Sequence, residues 1–369
     1  VRGRLAFFVT VIQLILFAGH ASLYETIAYF WPVQSGPALF DLRVALAILS
    51  VTFVTASLLA FRYFNVAVRI YYTLAAAWLG IFSFLFFASC ALWVAYGAAS
   101  AVGLHPNRQE WAIVFLSAAL LISVYGIINA ATIRVKRITV KLDNLPQAWR
   151  GRTAALVSDV HLGHVRNLGS IRRLVAAVGR LKSDIVFITG DLYDGTAADY
   201  NGLAAPWSTL SVPLGQYFVL GNHEGFSDST RYLNAVAGAG IRVLNREKVD
   251  IDGLQLVGVR YHDATHAEHF RSVLQAMGID RSRPSVLLTH APDHAPVSGA
   301  EGISLQLSGH THGGQFVPFN LFVKRIYGQF AYGLSRLGTL QVYTTYGAGT
   351  WGPPMRVGTN AEIVLIRFE

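Results

Sequence analysis

Leu305-Gln306-Leu307-Ser308-Gly309-His310-Thr311-His312 is an apolar run that ends, past a glycine, on two imidazoles. Four other short runs end on groups that can ligate. They are Leu156-Val157-Ser158 before Asp159 and His161, Val186-Phe187-Ile188-Thr189 before Gly190-Asp191, Tyr217-Phe218-Val219-Leu220 before Gly221-Asn222-His223-Glu224, and Val286-Leu287-Leu288-Thr289 before His290. Runs of this length bounded by Gly and polar residues read as buried strands. In open α/β sheets ligands collect beyond the carboxyl ends of strands, so the chain is expected to build a metal site from five strand ends.

Between these runs lie stretches with helical spacing: Leu168 to Leu181, with Ile171, Leu174, Val175 and Val178 on one face, then Ser229 to Ala239 and His266 to Met277. Ile133 to Leu142 alternates apolar and basic positions, as a half-buried strand does. Leu254 to Val259, Leu340 to Thr345 and Glu362 to Phe368 are further strand candidates with few helices between them. They predict a second, more mixed sheet packed on the first.

The first third of the chain has a different composition. The 369 residues are 53% hydrophobic and 14% charged, too apolar for an ordinary soluble protein. Up to Ile133 only Arg2, Arg4, Glu25, Asp41, Arg43, Arg62, Arg69, Arg108 and Glu110 are charged. Four apolar stretches (Leu5 to Ser22, Val44 to Phe61, Ile70 to Ala98, Trp111 to Ile133) each approach the ~20 residues that cross a hydrocarbon core. A cleaved signal peptide is the rival reading of the first stretch; three further spans and the interface-type aromatics Tyr24, Tyr29 and Trp31 favour a membrane helix.

With the N-terminus inside, Arg2, Arg4, Arg62, Arg69, Arg134, Lys136, Arg137 and Lys141 collect on one side, against Arg43 and Arg108 on the other. That bias predicts a cytoplasmic C-terminal region. The net charge of +9 contains no run of five or six basic residues, and its densest cluster, Arg134 to Lys141, abuts a span. Anionic head groups are its nearer partner, and no nucleic acid is expected. The single cysteine, Cys90, lies inside the third span; it excludes a disulfide framework and thiolate metal sites and is expected to be a packing residue.

Carboxylate oxygens and neutral imidazoles suit divalent Mn, Fe, Zn or Ni. Asp159 and His161 are two apart, so on extended backbone they point the same way, and His310 and His312 repeat that spacing. A single histidine is more often a hydrogen-bonded core residue. Here ten of twelve histidines fall between His161 and His312, and five of them stand at strand ends.

Asp159-Val160-His161, Gly190-Asp191, Gly221-Asn222-His223-Glu224, His290 and Gly309-His310-Thr311-His312, in that order, resemble the signature of the calcineurin-like metallophosphoesterase superfamily. The longer forms Ser158 to Gly163, Thr189 to Leu192, Gly309 to Gln315 and Gly347 to Arg356 resemble its membrane-associated bacterial phosphodiesterase branch. The resemblance covers about Arg137 to Glu369. The four apolar stretches predict an α-helical, four-helix transmembrane domain (1–133), and the resemblance implies that an α/β metallophosphoesterase domain (134–369) of two mixed β-sheets between helices follows it. It implies that Asp159, His161 and His312 hold one metal, that Asn222, His290 and His310 hold a second, and that Asp191 bridges them. His223 would protonate the leaving oxygen or stabilise transition-state charge, and no substrate-binding residues are assigned. Two divalent ions about 3.5–4 Å apart, manganese foremost, would hydrolyse a phosphodiester or pyrophosphate bond by attack of a bridging hydroxide.

The expected setting is the bacterial inner membrane, with the bilayer and a phosphate ester as partners. Some relatives cleave UDP-diacylglucosamine, which makes a lipid-linked substrate the concrete case. Phe316, Phe319, Leu321 and Phe322, followed by Lys324 and Arg325, fit either an acyl chain and its head group or a covering for the core. The alternative function is a non-catalytic metal-binding scaffold or regulatory domain of the same fold. A transporter is disfavoured, because the spans show no paired interrupted helices. His164, Asp194, His262, Asp263, His266, His269 and His294 are read as loop, cleft-lining or structural residues. Asp41, Arg43 and His20 are read as interfacial, and Arg356 as a candidate phosphate ligand.

Overall fold

The computed structural model describes residues 2–31, 36–225 and 229–369; the side chains of Arg2 and Arg4, used above for orientation, lie outside what is described. The chain divides into two compact units. One comprises residues up to Ile128 with Gly352–Met355, and the other Asn129–Trp351 with Arg356–Glu369.

The first unit is built from α1 (Arg2–Phe30), α2 (Gly36–Arg62), α3 (Val66–Ala101) and α4 (Arg108–Ala131). All four are long and apolar enough to cross a membrane. Their outward residues, among them Phe7, Ile48, Leu74, Val94 and Leu121, are apolar and exposed, a surface that lipid rather than water would cover. Leu16, Leu23, Leu46 and Phe82 form the interior. His20 is buried there rather than interfacial. Its Nδ1 donates to the Leu16 carbonyl at 2.8 Å, its Nε2 accepts from Trp78 Nε1 at 3.0 Å, and Phe82 stacks on it at 3.8 Å. Arg43 places its guanidinium 4.9 Å from the Tyr24 ring centre. Cys90 is exposed and is not the packing residue expected.

Among the described residues the second unit contains twelve strands: β1 (Ile133–Val140), β2 (Thr153–Val157), β3 (Ile185–Ile188), β4 (Gln216–Phe218), β5 (Ile241–Val243), β6 (Glu247–Ile251), β7 (Leu254–Val259), β8 (Ser285–Thr289), β9 (Leu305–Ser308), β10 (Gly333–Leu337), β11 (Leu340–Thr344) and β12 (Ala361–Phe368). Its helices are α5 (Leu168–Leu181), α6 (Tyr200–Ala204), α7 (Thr230–Gly238), α8 (Tyr261–Ala264), α9 (Ala267–Ala276), α10 (Ala295–Ala300) and α11 (Phe319–Tyr327). Two six-stranded sheets result, in the orders β1-β12-β2-β3-β4-β5 and β10-β11-β9-β8-β7-β6. Both are mixed: β2, β3, β4 and β5 run parallel, as do β7, β8, β9 and β11, while β12 against β2, β6 against β7 and β10 against β11 are antiparallel.

The sheets meet over one apolar layer to which the first contributes Leu156, Phe187 and Val219 and the second Leu256, Val286, Leu288 and Leu307. The far face of the first sheet is covered by helices, including α5, whose Ile171, Leu174, Val175 and Val178 are buried. Each such side chain contributes ~1.5–3 kcal/mol by leaving water. Asn167 caps that helix by accepting from the Gly169 and Ser170 amides.

One strand departs from expectation. β12 belongs to the first sheet, between β1 and β2, and not to the second. Val364, Ile366 and Phe368 face the layer between the sheets, and Ile363 joins the opposite core. A strand buried on both faces carries no period that says which sheet receives it.

Candidate metal centre

Parallel β2, β3 and β4 in one sheet and parallel β8 and β9 in the other bring their carboxyl ends to one place. There the backbone turns sharply. Asp159 (φ 52°), His161 (φ 53°), Asp191 (φ 49°), His310 (φ 69°) and His312 (φ 47°) all adopt the left-handed region. That conformation costs an L-residue roughly 1–2 kcal/mol and persists only where surroundings enforce it. The Asp159 amide donates to the Gly190 carbonyl (3.1 Å), the His161 amide to the Asp191 carbonyl (3.0 Å), and the His310 amide to both Asp159 oxygens (3.0 Å each). Gly309 admits no substituent, since a Cβ there would lie 2.0 Å from Ser158 Oγ and 2.1 Å from Asp159 Oδ2.

Two groups of ligating atoms result. In the first, His161 Nε2 lies 3.0 Å from His312 Nε2, which is 3.4 Å from Asp159 Oδ1. In the second, His290 Nε2, His310 Nδ1 and Asn222 Oδ1 stand 3.0–3.1 Å from one another. Asp191 Oδ2 lies between, 3.1 Å from His290 Nε2 and 3.9 Å from His161 Nε2, while Oδ1 accepts the His223 amide at 2.9 Å. All seven expected ligands are thus brought together; Asp159, His161, Asp191 and His290 are buried, and Asn222, His310 and His312 are partly so.

The donor set fits divalent cations. His290 Nδ1 donates to the Thr189 carbonyl at 2.7 Å, which turns Nε2 toward Asn222 and Asp191. Lone pairs facing lone pairs at 3 Å repel unless a proton or a cation stands among them. Burial holds His161, His310 and His312 below the ordinary imidazole range, His310 down to about 3, with the charge of His290 adding to the effect at His161 and His310, and His161 and Arg356 adding to it at His312. Those rings are neutral, as ligation requires. Burial opposes charge on His290 too, but Asp191 and Asp159 outweigh it and push its pKa up to about 10. Burial likewise works to protonate Asp191, and the facing histidines overcome it, so that its carboxylate stays ionised.

His223 differs from these seven. Its Nδ1 donates to the Asp194 carbonyl at 2.9 Å, and its Nε2 stands 3.9 Å from Asp191 Oδ2. The Trp351 ring lies 6.1 Å away and is exposed.

Three further residues support the site, and the sequence reading left the first of them without a role. Glu224 is fully buried, and its carboxylate accepts the amides of Gly221 (2.8 Å), Asp191 (3.0 Å) and Tyr193 (3.1 Å). It thereby ties the β4 turn to the strained β3 turn; its place beside Asn222 and His223 was the only signal. Glu224→Ala strands three buried donors at ~1–3 kcal/mol each, so we expect Tm to fall by roughly 6–12 °C or more, with loss of bound metal. A thermal shift assay with metal analysis checks it, and an unchanged Tm would refute the role.

Asp194, read from the sequence as a loop residue or one standing behind the ligands, places Oδ1 3.5 Å from His161 Nδ1 while its carbonyl accepts from His223 Nδ1. It orients the His223 ring through that carbonyl and lies behind His161, where carboxylates behind metal-ligating histidines stand. Arg356 is fully buried, and its Nη2 hydrogens serve the Tyr346 (2.6 Å) and Gly349 (2.8 Å) carbonyls. A guanidinium spent on backbone carbonyls is not the phosphate ligand expected. It stands 3.2 Å from His312 Nδ1 and anchors the loop behind that ring.

The remaining candidates have structural duties. Asp263 is bound by Arg246 (2.7 Å), Arg260 (2.9 Å) and His269 (3.3 Å), His164 lies 3.3 Å from Thr196 Oγ1, and His294 3.1 Å from the Thr265 carbonyl.

Comparison with known proteins agrees with this geometry. Residues 153–314 match the calcineurin-like phosphoesterase family. A metallophosphoesterase of Campylobacter jejuni is 30% identical over 70% of this chain and 69% of its own. A transmembrane protein with metallophosphoesterase domain from Danio rerio is 31% identical over 73% of this chain and 64% of its own, and one from Bos taurus 30% identical over 75% and 67%. The chain belongs to the calcineurin-like metallophosphoesterases and is a phosphoester hydrolase with membrane helices.

Proposed function

We propose that this protein is a two-metal phosphoesterase, anchored in a bacterial inner membrane, that cleaves a phosphodiester or pyrophosphate bond of a lipid-linked substrate on the cytoplasmic side. The observation that carries the reading is the convergence of two ligand groups on Asp191 Oδ2. Asp159, His161 and His312 would hold one ion, Asn222, His290 and His310 the other, and Asp191 both. Bound divalent ions supply Lewis acidity and an acidified water at neutral pH; manganese suits the oxygen and nitrogen donors, as do iron, zinc and nickel.

The protein's own contribution is placement and one proton. The Asp194 carbonyl fixes the His223 tautomer and turns Nε2 toward Asp191, where a scissile phosphate would meet it. Burial and the neighbouring His161 keep that ring neutral in the free site. A bound phosphate anion raises its proton affinity, and the ring then protonates the leaving oxygen.

A lipid-linked substrate is supported by connectivity: only Thr132 separates α4 from β1, so the catalytic unit is tethered to a membrane helix. The complete donor set argues against a non-catalytic scaffold. Metal-replete protein in detergent should hydrolyse UDP-diacylglucosamine in preference to bis(p-nitrophenyl) phosphate; turnover of the soluble diester alone would remove lipid specificity. The positive-inside bias supports the cytoplasmic side. A C-terminal fluorescent protein fusion should shine and an alkaline phosphatase fusion stay silent; the reverse pattern would sink this orientation.

A further inference from the structure

α11 breaks the rule that an apolar helical stripe faces a core. Phe319, Phe322 and Ile326 recur at helical spacing, yet they are 43%, 61% and 72% exposed, and no residue of α11 is buried. Val317 and Leu321 beside them are exposed too. The helix is fixed to the catalytic centre. Gly314, two residues past His312, touches the Phe319 and Asn320 backbone, and the Tyr327 ring is 6.3 Å from His310. Across the same loop, Gln315 exchanges hydrogen bonds with the Trp351 backbone (2.9 and 3.1 Å), setting that exposed indole beside His223.

We propose that α11 and Trp351 form a docking surface for the head-group layer of an anionic bilayer, which covers the apolar stripe and presents the metal centre to lipid phosphates. Charge and composition commit the surface to this occupant. Lys324 and Arg325 lie within α11, and Arg134, Lys136 and Arg137 are exposed on β1. Apolar and aromatic side chains flanked by cations are the pattern of interfacial helices, each cation drawn to anionic head groups. The same chain carries four helices of membrane-crossing length, so a bilayer is within reach. The inference deepens the proposed lipid-linked substrate, but its test reads no turnover and therefore fails independently of it.

The test uses the full chain with Cys90→Ser, in nanodiscs of phosphatidylcholine with phosphatidylglycerol. A bimane probe is attached at Phe322→Cys, Ile326→Cys, or, as control, Arg281→Cys, whose exposed side chain precedes the amino end of β8, away from the site. Doxyl-labelled lipid should quench the probes at 322 and 326 at least about twofold and leave 281 unaffected. Quenching should weaken with phosphatidylcholine alone and with Lys324→Glu/Arg325→Glu. Probes at 326 and 281 equally open to aqueous quencher would overturn the proposal. So would a probe at 326 shielded from water but unquenched by lipid, with chains cross-linked through that position, which would assign the face to a second copy. Quenching indifferent to lipid charge would overturn its anionic half.

Discussion

Asp191→Ala is expected to empty both metal positions and abolish turnover. Asp191 Oδ2 lies 3.9 Å from His161 Nε2 in one ligand group and 3.1 Å from His290 Nε2 in the other, and Oδ1 accepts the His223 amide. Alanine would remove the carboxylate proposed to serve both positions and strand the buried His223 amide. Losing a residue behind a ligand already costs roughly 10–100-fold in metal affinity, and a shared ligand costs more at both positions. Elemental analysis should fall from two ions per chain toward none, with helix and strand content retained by circular dichroism. Asp191→Asn keeps an acceptor for the His223 amide while removing the charge, and it should lose metal too. An alanine variant that still holds two ions would rule out the bridge.

His223→Ala is expected to give the opposite signature, metal retained and turnover lost. The ring stands 3.9 Å from Asp191 Oδ2 and packs edge-on against His161 with centroids 4.7 Å apart, while Glu224 and Asp191 hold the turns around it through backbone amides that the substitution leaves in place. Removing a general acid costs about 10²–10⁴ in rate. The loss should be large for alkyl leaving groups and small for p-nitrophenolate, which departs without a proton. Turnover of both ester types with metal analysis decides it. An apo variant, or an equal loss for good and poor leaving groups, would take the proton from His223.

Much of the site was legible in residue types and short spacings. Five strand-end motifs carry their ligands within a few residues of an apolar run, and this local pairing survives into the structure. Glu224 and Asp194 were harder to weigh, because their value lies in amides and rings about thirty residues away. Arg356 was misread for the same reason. Its sequence setting advertises a phosphate fork, whereas its carbonyl partners belong to a loop that closes only in the folded chain.

The amino-acid sequence alone determined the four membrane-length helices, the alternation of strands and helices, and the chemistry of the ligands, because each is written in local periodicity or side-chain type. The tertiary structure alone decided that β12 enters the first sheet, that two sheets share one catalytic edge, that five ligating residues turn left-handed, and that α11 faces outward. Those outcomes depend on strand pairing, enforced strain and burial among residues far apart in the chain. No local pattern encodes which distant partner a strand, a carboxylate or an apolar face will meet.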